Sequence, residues 1–576
     1  MYILGISGQE RTAAAALILD GQVVAAVAEE NLTRIARVGI TQAGGLPHRA
    51  IDFCLERAGI KLDQIDYVAY YLDPYKLFQR ETVFYSSHRM NPSYASIDQL
   101  LPTYLADSLN GLKERLRTRR LMESRLSGNA EFLFVDHQMA HGAGAFYASG
   151  FERAAVISVG NRGDMTTTAL MSSEGRGLAA HSHASFPNSI GMVYSAVTAA
   201  LGFGADGDWH KTMWLSHTGV SRFEELLADV VGMDSAGLPA VNLAYFEMSC
   251  NGELTLSSSF FDAIEFIPRQ KDEPIRQVDR DLARSLQSRV EDVLCEIAIR
   301  HREQTGHENL CLAGGVSLNS LANAAVERRA GYKRIFVQPG SDNAGSSLGA
   351  ALHIWHDLLG NHDALYRMEH AFLGPQFDDE QIKFVLENCR LNYEYFPTED
   401  RLIAEVAKLL FKGNIAGWFR GAMEFGPRAL GARSILASPL NEVMRDNLNH
   451  YIKHREDFRP FSAAVPEERA EEFFEPSMLS PFIQSVSRVK DGVRNLIPAA
   501  VFGEGLVRVH TVSRKTNKPL WKLLLRFGDL SGLPVLLNTS FNLFGEPVVS
   551  TPREGVRGFY CAGIDCLVIG SFLVRK

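Results

Sequence analysis

The feature that most constrains this chain is a pattern that occurs twice. Each copy has an apolar strand, a glycine turn with small and hydroxyl residues, and a returning apolar strand. Residues 2–8 (YILGISG) read as a buried strand ending in small residues. Ala13 to Leu19 is a second apolar run, Asp20-Gly21 a tight turn, and Gln22 to Ala28 a third strand. Ala154 to Gly160 and Met165 to Ser172 repeat that order.

Two such units in one domain predict a duplicated, actin-like ATPase fold of the α/β class. Further along, 48–58 reads as a helix and 67–71 as a short strand. Residues 72–125 form a polar, aromatic-rich insertion with helical character over 102–124. A strand at 131–135 delivers DHQMAH at its end, and charged helices follow at 221–230 and 279–303. Strands at 310–313 and 335–337 run into GGVSLNSLANAAV and PGSDNAGSSLGAAL. Residues 366–400 read as a connector with one helix at 378–388, which divides the chain into domains 1–365 and 401–576.

At 576 residues the chain is too long for one ordinary core, which agrees with that division. Its formal net charge of -8 gives no support to a nucleic-acid partner. The start, MYILGISG, lacks a basic flank and a small-residue cleavage site, and the apolar stretches fall short of a membrane span. Seven cysteines without CxxC spacing suggest reduced thiols. The expectation is a cytoplasmic protein with neither a membrane nor a nucleic-acid partner.

His137 and His141 are four apart, which on a helix places both on one face, as a divalent transition metal requires. Asp342, in the loop after the strand at 335–337, is a third candidate ligand. The alternative is a pair of helix histidines satisfied by local partners. Asp136 is placed to cap the helix that starts there.

DHQMAHGAGAFYASG, CLAGGVSLNSLANAAV and SDNAGSSLGAAL resemble the O-carbamoyltransferases of antibiotic and nodulation-factor biosynthesis. So do GWFRGAMEFGPRALGARSILASP, NHYIKHREDFRPFSAAVPEE, VRVHTV and VLLNTSFNLFGEPVVSTPREG. The resemblance covers nearly the whole chain. It implies an N-terminal ASKHA-type domain of the actin and Hsp70 kind and a C-terminal YrdC-like domain. The latter would form carbamoyl adenylate from carbamoyl phosphate and ATP. The former would pass the carbamoyl group to a hydroxyl or amine of a small-molecule natural product. The family's divalent metal, Fe2+ being favoured, maps onto His137, His141 and Asp342.

In the second domain, Arg420, Arg428, Arg433, Lys453, Arg455 and Arg459 fall within forty residues of Gly- and Pro-rich sequence. Guanidinium groups bind phosphate oxygens bidentately, and joining two anionic substrates requires cations. The alternative is surface ion pairing. Lys453, Arg455, Arg508 and Asn538 are the candidates for anion and carbamoyl contacts, with Ser540 and Asn542 beside them. Glu424 either orients an arginine or touches substrate. In the first domain, Gly314 and Gly315 close a strand and lead into a helix, where N–H groups hold phosphate or leave room for adenosine. Asn319 and Asn323 would line that pocket, and Lys211 would reach the adenylate phosphate or the carbamoyl oxygen.

Four departures from the family pattern stand out. The usual His-Asp pair is replaced by Gly8-Gln9-Glu10-Arg11-Thr12-Ala13, which leaves Glu10 as the candidate base. The usual Asp-Gly appears as Val159-Gly160, with Asp164 four residues after that glycine. Trp214 stands where the family has glycine, and Phe502 and Glu504 replace a histidine and an aspartate. These changes fit either an altered acceptor or a degenerate first domain, the chain then acting as an adenylate-forming or nucleotide-binding non-catalytic subunit of a biosynthetic complex. A homo-oligomer or a partner subunit is compatible with both. Acceptor contacts would come from Tyr71, Tyr75, Phe78, Phe84 and Tyr85, whose alternative role is ordinary core.

Overall fold

The computed structural model describes residues 1–87, 97–126, 130–175, 177–205, 207–248, 253–362, 366–475 and 478–576. The chain forms two compact units. One comprises Met1–Glu29, Arg37–Leu318 and Arg328–Arg367; the other comprises Glu30–Ala36, Asn319–Glu327 and Met368–Lys576.

The first unit is built on two five-stranded sheets. The first contains β1 (Tyr2–Ser7), β2 (Ala14–Leu19), β3 (Gln22–Ala28), β4 (Tyr67–Tyr70) and β5 (Glu131–Phe134), in the order β3-β2-β1-β4-β5. The second contains β6 (Ala154–Val159), β7 (Thr166–Ser173), β8 (Leu178–Ser185), β13 (Asn309–Ala313) and β14 (Arg334–Val337), in the order β14-β13-β6-β7-β8. Two short hairpins, β9 (Val231–Met233) with β10 (Pro239–Val241) and β11 (Phe246–Met248) with β12 (Leu254–Leu256), lie in sequence between β8 and β13 of the second sheet.

The two large sheets share one topology. In the first, β1–β2 and β2–β3 are antiparallel while β1–β4 and β4–β5 are parallel. In the second, β6–β7 and β7–β8 are antiparallel while β6–β13 and β13–β14 are parallel. The duplication expected from the sequence is therefore present at the level of strand sense and order. β1, β2 and β6 are buried along nearly their whole length, as strands covered on both faces must be.

Helices His137–Ser149 and Asn343–His353 pack with their backbones in contact. A Cβ at Gly349 would lie 1.7 Å from the Ala140 carbonyl oxygen, and one at Gly5 would lie 1.8 Å from that of Ser347. Glycine is needed at both positions because backbone occupies the space of a side chain.

The second unit carries a nine-stranded mixed sheet. Its strands are β15 (Tyr393–Tyr395), β16 (Ala416–Phe419), β17 (Arg433–Ala437), β18 (Ser462–Pro466), β19 (Val486–Arg488), β20 (Leu506–Val512), β21 (Leu536–Ser540), β22 (Cys566–Ile569) and β23 (Phe572–Arg575). Their order is β15-β23-β22-β16-β17-β21-β18-β20-β19. Period-two alternation sends Ile435, Ala463 and Leu537 to one core and Leu436, Ala464 and Leu536 to the other. Helices Glu399–Phe411 and Lys518–Ser531 cover the second of these through Leu402, Val406, Leu410, Leu520 and Phe527. Ile382 and Leu386, from the stretch read as a connector, lie in the first core. Among the described residues no helix is long and apolar enough to cross a membrane.

Candidate functional site

In the second unit a loop, a helix end and two strand segments bring cations together. The loop between β16 and β17 is organised by Glu424. Its Oε1 accepts from the backbone N–H groups of Leu430 (2.8 Å), Ala432 (2.6 Å) and Arg433 (3.1 Å). Arg433 braces the same loop. Its Nη1 donates to the carbonyls of Gly421 (3.0 Å) and Ala432 (3.1 Å), and its Nη2 to that of Pro375 (3.0 Å). Its guanidinium sits 3.7 Å over the Phe419 ring, and burial pushes it down to about 10 against the pull of Glu424. Arg433 and Glu424 thus shape the loop. Arg420 pairs with Glu399 at 3.3 Å and lies over Trp418.

Lys453 and Arg455 follow the helical turn ending at Ile452. His454 between them has a φ of +43°, and this turn of the backbone lets both neighbours face inward. Lys453 Nζ donates to Ser540 O (2.8 Å), Asn542 Oδ1 (2.6 Å) and Asn542 O (3.1 Å), and Ser540 Oγ lies at 3.4 Å. Arg455 Nε donates to Asn449 Oδ1 at 2.8 Å, and its guanidinium lies 4.6 Å over the Phe461 ring. Its Nη2 is buried without a hydrogen-bond partner.

Arg508 enters from β20. Asn538, on β21, donates from Nδ2 to the Ala429 carbonyl at 2.9 Å and contacts His510 Nδ1 at 3.1 Å, leaving its Oδ1 buried without a partner. Burial holds His510 neutral, pushing it down to about 3. It shares Arg508's face of β20, two residues on; that i, i+2 spacing is the signal for it in the sequence. Asn449, six residues before Arg455, has no comparable signal.

Burial and mutual repulsion act together on this cluster. Lys453 is held well below the ordinary lysine value by burial first, then by Arg455 and Arg459. Arg455 is lowered by burial and Arg459, and Arg508 by burial, Arg428, Arg455 and Arg459. Arg459 pairs with Glu456 at 3.7 Å. Three cations lowered by burial and by the arginines around them are costly to hold inside a protein unless an anion joins them. Planar guanidinium groups gathered in this way are suited to phosphate oxygens.

The first unit holds the remaining candidates except Asn319 and Asn323. Asp136 caps helix His137–Ser149, its Oδ1 accepting from Gln138 N (3.0 Å) and Met139 N (3.2 Å). His137 and His141 face each other with ring centroids 4.6 Å apart. Burial lowers His137 to about 4 and His141 well below its usual value, so both rings are neutral. Each has a buried Nδ1 without a hydrogen-bond partner. Two neutral imidazoles with unused lone pairs fit a metal's first two ligands. Asp342 caps helix Asn343–His353 through Ala344 N at 3.1 Å. Among the described residues no group of three or more His, Cys, Asp or Glu is arranged to hold a metal ion.

Asp164 accepts from the backbone N–H groups of His137 (3.1 Å) and Asp73 (3.1 Å). Glu10 has a side chain 66% exposed and an ion pair with Arg162 at 3.9 Å, and Arg162 also reaches Glu253 at 3.6 Å. Arg11 lies 5.4 Å over the Trp209 ring. Lys211 pairs with Asp208 at 3.2 Å, and Trp214 is fully buried. Of the aromatic candidates, Tyr71 packs edge-on against His137 at 5.3 Å and Tyr75 packs against Phe134.

Gly314 and Gly315 do different things. A Cβ at Gly314 would lie 2.3 Å from the Val159 carbonyl oxygen, whereas at Gly315 nothing lies within 4 Å. One packs against the end of β6 and the other leaves open space. Asn319 caps the next helix, accepting from Ala322 N at 3.0 Å, and Asn323 Nδ2 donates to the Gln484 carbonyl at 2.7 Å. Both asparagines belong to the second unit, and both glycines to the first.

The sequence matches the families described as Carbamoyltransferase N-terminus over residues 2–352 and Carbamoyltransferase C-terminus over residues 407–576. It is 35% identical to the uncharacterized protein sll1178 of Synechocystis, across 100% of this chain and 97% of that one. It is 34% identical to nodulation protein NolNO of Sinorhizobium fredii, across 98% of this chain and 78% of that one. Among solved structures, HypF of T. kodakarensis is similar at 13% identity and a TM-score of 0.32, over 62% of this chain and 48% of that one. Component A of the (R)-2-hydroxyglutaryl-CoA dehydratase of Acidaminococcus fermentans is similar at 14% and 0.33, over 62% and 99%. At that distance neither structure bears on what this chain does. The chain belongs to the carbamoyltransferase family, and its enzymatic class is carbamoyl transfer.

Proposed function

We propose that the chain activates carbamoyl phosphate with ATP and transfers the carbamoyl group to a hydroxyl or amine of a small molecule. The cluster of buried Lys453 and Arg508 with half-buried Arg428, Arg455 and Arg459 carries this reading. It offsets the charge of two phosphorylated substrates brought together, and of the phosphoryl group in the transition state. Activation balances when water cleaves carbamoyl phosphate to carbamate and phosphate. A carbamate oxygen then attacks the α-phosphorus of ATP, giving carbamoyl adenylate and pyrophosphate. In transfer the acceptor attacks the carbamoyl carbon, AMP leaves, and the acceptor loses a proton.

The C-terminal part, of a YrdC-like kind, would perform activation, and the N-terminal part, of an ASKHA kind, transfer. The doubled sheet and the open space at Gly315 support a nucleotide there. The neutral rings of His137 and His141 would supply two ligands to a divalent metal, which would polarise the carbamoyl carbonyl, while Asp342, the third candidate, caps its helix through Ala344 N. Glu10, exposed and ion-paired, is a poor candidate for the acceptor's base.

The test is carbamoyl-phosphate-dependent release of pyrophosphate from ATP by the purified chain without an acceptor. Release that disappears in Arg455→Ala supports the reading. A chain that makes no pyrophosphate under these conditions contradicts it.

A further inference from the structure

Arg508 sits on the next-to-last strand of the nine-stranded sheet. The edge strand beyond it, β19, has only three residues, and its first, Val486, is the direct ladder partner of Arg508. So short an edge strand holds its neighbour weakly unless something fixes its end. The structure supplies that anchor from a distant part of the chain. Asn323 Nδ2 donates to the Gln484 carbonyl at 2.7 Å, and Ser485 Oγ donates to Glu327 Oε2 at 2.7 Å. Gln484 and Ser485 are the two residues immediately before β19. Asn323 and Ser485 are both buried, so each bond is partly shielded from water.

The turn that presents these two residues is strained. Ile483 has a φ of +58°, a conformation that a β-branched residue rarely adopts, and it persists only where its surroundings hold it. Gln484 helps hold it, its Oε1 accepting from Phe482 N at 3.1 Å. The anchoring side chains lie one turn apart on helix Ser320–Arg329, on one face. That helix begins five residues after Gly315 in the chain.

We infer that Asn323 and Glu327 are positioning residues for Arg508. They fix the start of β19 through Gln484 and Ser485, and β19 fixes the register and tilt of β20 at the point where Arg508 enters the cation cluster. The inference rests on the activation reading above, since it gives Arg508 something to bind. It also gives Asn323 and Glu327 a function in a helix whose asparagines read, from sequence, as lining a nucleotide pocket.

The test is binding of carbamoyl phosphate to the full-length protein by calorimetry, alongside thermal unfolding. Asn323→Ala with Glu327→Ala should weaken binding about tenfold, because a misplaced contact loses most of its value. Glu327→Gln keeps an oxygen that can accept from Ser485 and should restore wild-type affinity. Ser485→Ala should match Glu327→Ala, with no further loss when the two are combined. A fall in unfolding temperature with unchanged affinity would show that the bonds serve only the fold, and would overturn the inference. Failure of the wild type to bind carbamoyl phosphate would overturn the activation reading, and this inference with it.

Discussion

Lys453 and Arg455 sit either side of a residue in the left-handed region, and their side chains have different duties. Lys453 spends its hydrogen bonds on Ser540 and Asn542, at the end of β21. Arg455 keeps a buried Nη2 without a partner. Arg455→Ala should therefore remove a substrate contact and lower the rate of pyrophosphate formation by about 10²-fold, with little change in stability. Lys453→Met should lower both, because it also frees the strand end; steady-state kinetics and thermal unfolding separate the two.

His510 gives the site a pH signature. Its folded value of about 3 lies below the ordinary 6.5, so the unfolded chain takes up the proton first as pH falls. Its contribution is complete above pH 6.5 and is lost at about 1.4 kcal/mol per pH unit between 6.5 and about 3. His510→Gln should flatten that part of the stability profile measured by urea unfolding. An unchanged acid limb would show that His510 does not contribute to it.

At the scale of elements, the two glycines after β13 make opposite predictions. Gly314→Ala places a methyl group 2.3 Å from the Val159 carbonyl oxygen at a φ of +81° and should destabilise the first unit by about 1–3 kcal/mol. Gly315→Ala meets nothing within 4 Å and should leave the unfolding temperature unchanged while weakening ATP binding. Equal effects on stability would refute the division of roles. Much at this scale is legible in the sequence. The helix at 48–58, the strands of the repeated unit and the capping role of Asp136 all follow from periodicity and turn residues. The bracing role of Arg433 does not. Its sequence signature, a cation in a Gly-rich loop, is that of a phosphate ligand, and only the positions of the Gly421, Ala432 and Pro375 carbonyls reveal another use.

At the scale of the whole chain, the second unit draws in residues 30–36 and 319–327 from far upstream. Arg34 shows how the first of these is held. Its Nη2 donates to the Pro547 carbonyl at 2.7 Å and Nη1 to that of Val548, with Glu554 at 3.5 Å. Charge-assisted bonds of this kind contribute about 1.5–3 kcal/mol each. Arg34→Ala removes two of them and should therefore lower the midpoint of the second unit by roughly 6 °C or more in calorimetry. An unchanged midpoint would mean that residues 30–36 add nothing to its stability.

The sequence by itself determined the doubled strand–turn–strand unit, the positions of several helices before residue 390 and the identity of the cations. These depend on local preference, and on spacing that matches the strand and helix periods. Tertiary structure decided which cations share one buried space, and which polar side chains are spent on the protein itself. Asn323 is tied to Gln484 and Lys453 to Ser540 and Asn542, across 161, 87 and 89 positions respectively. No local pattern encodes such pairs, because they arise only when sheet order and register bring distant strand ends together.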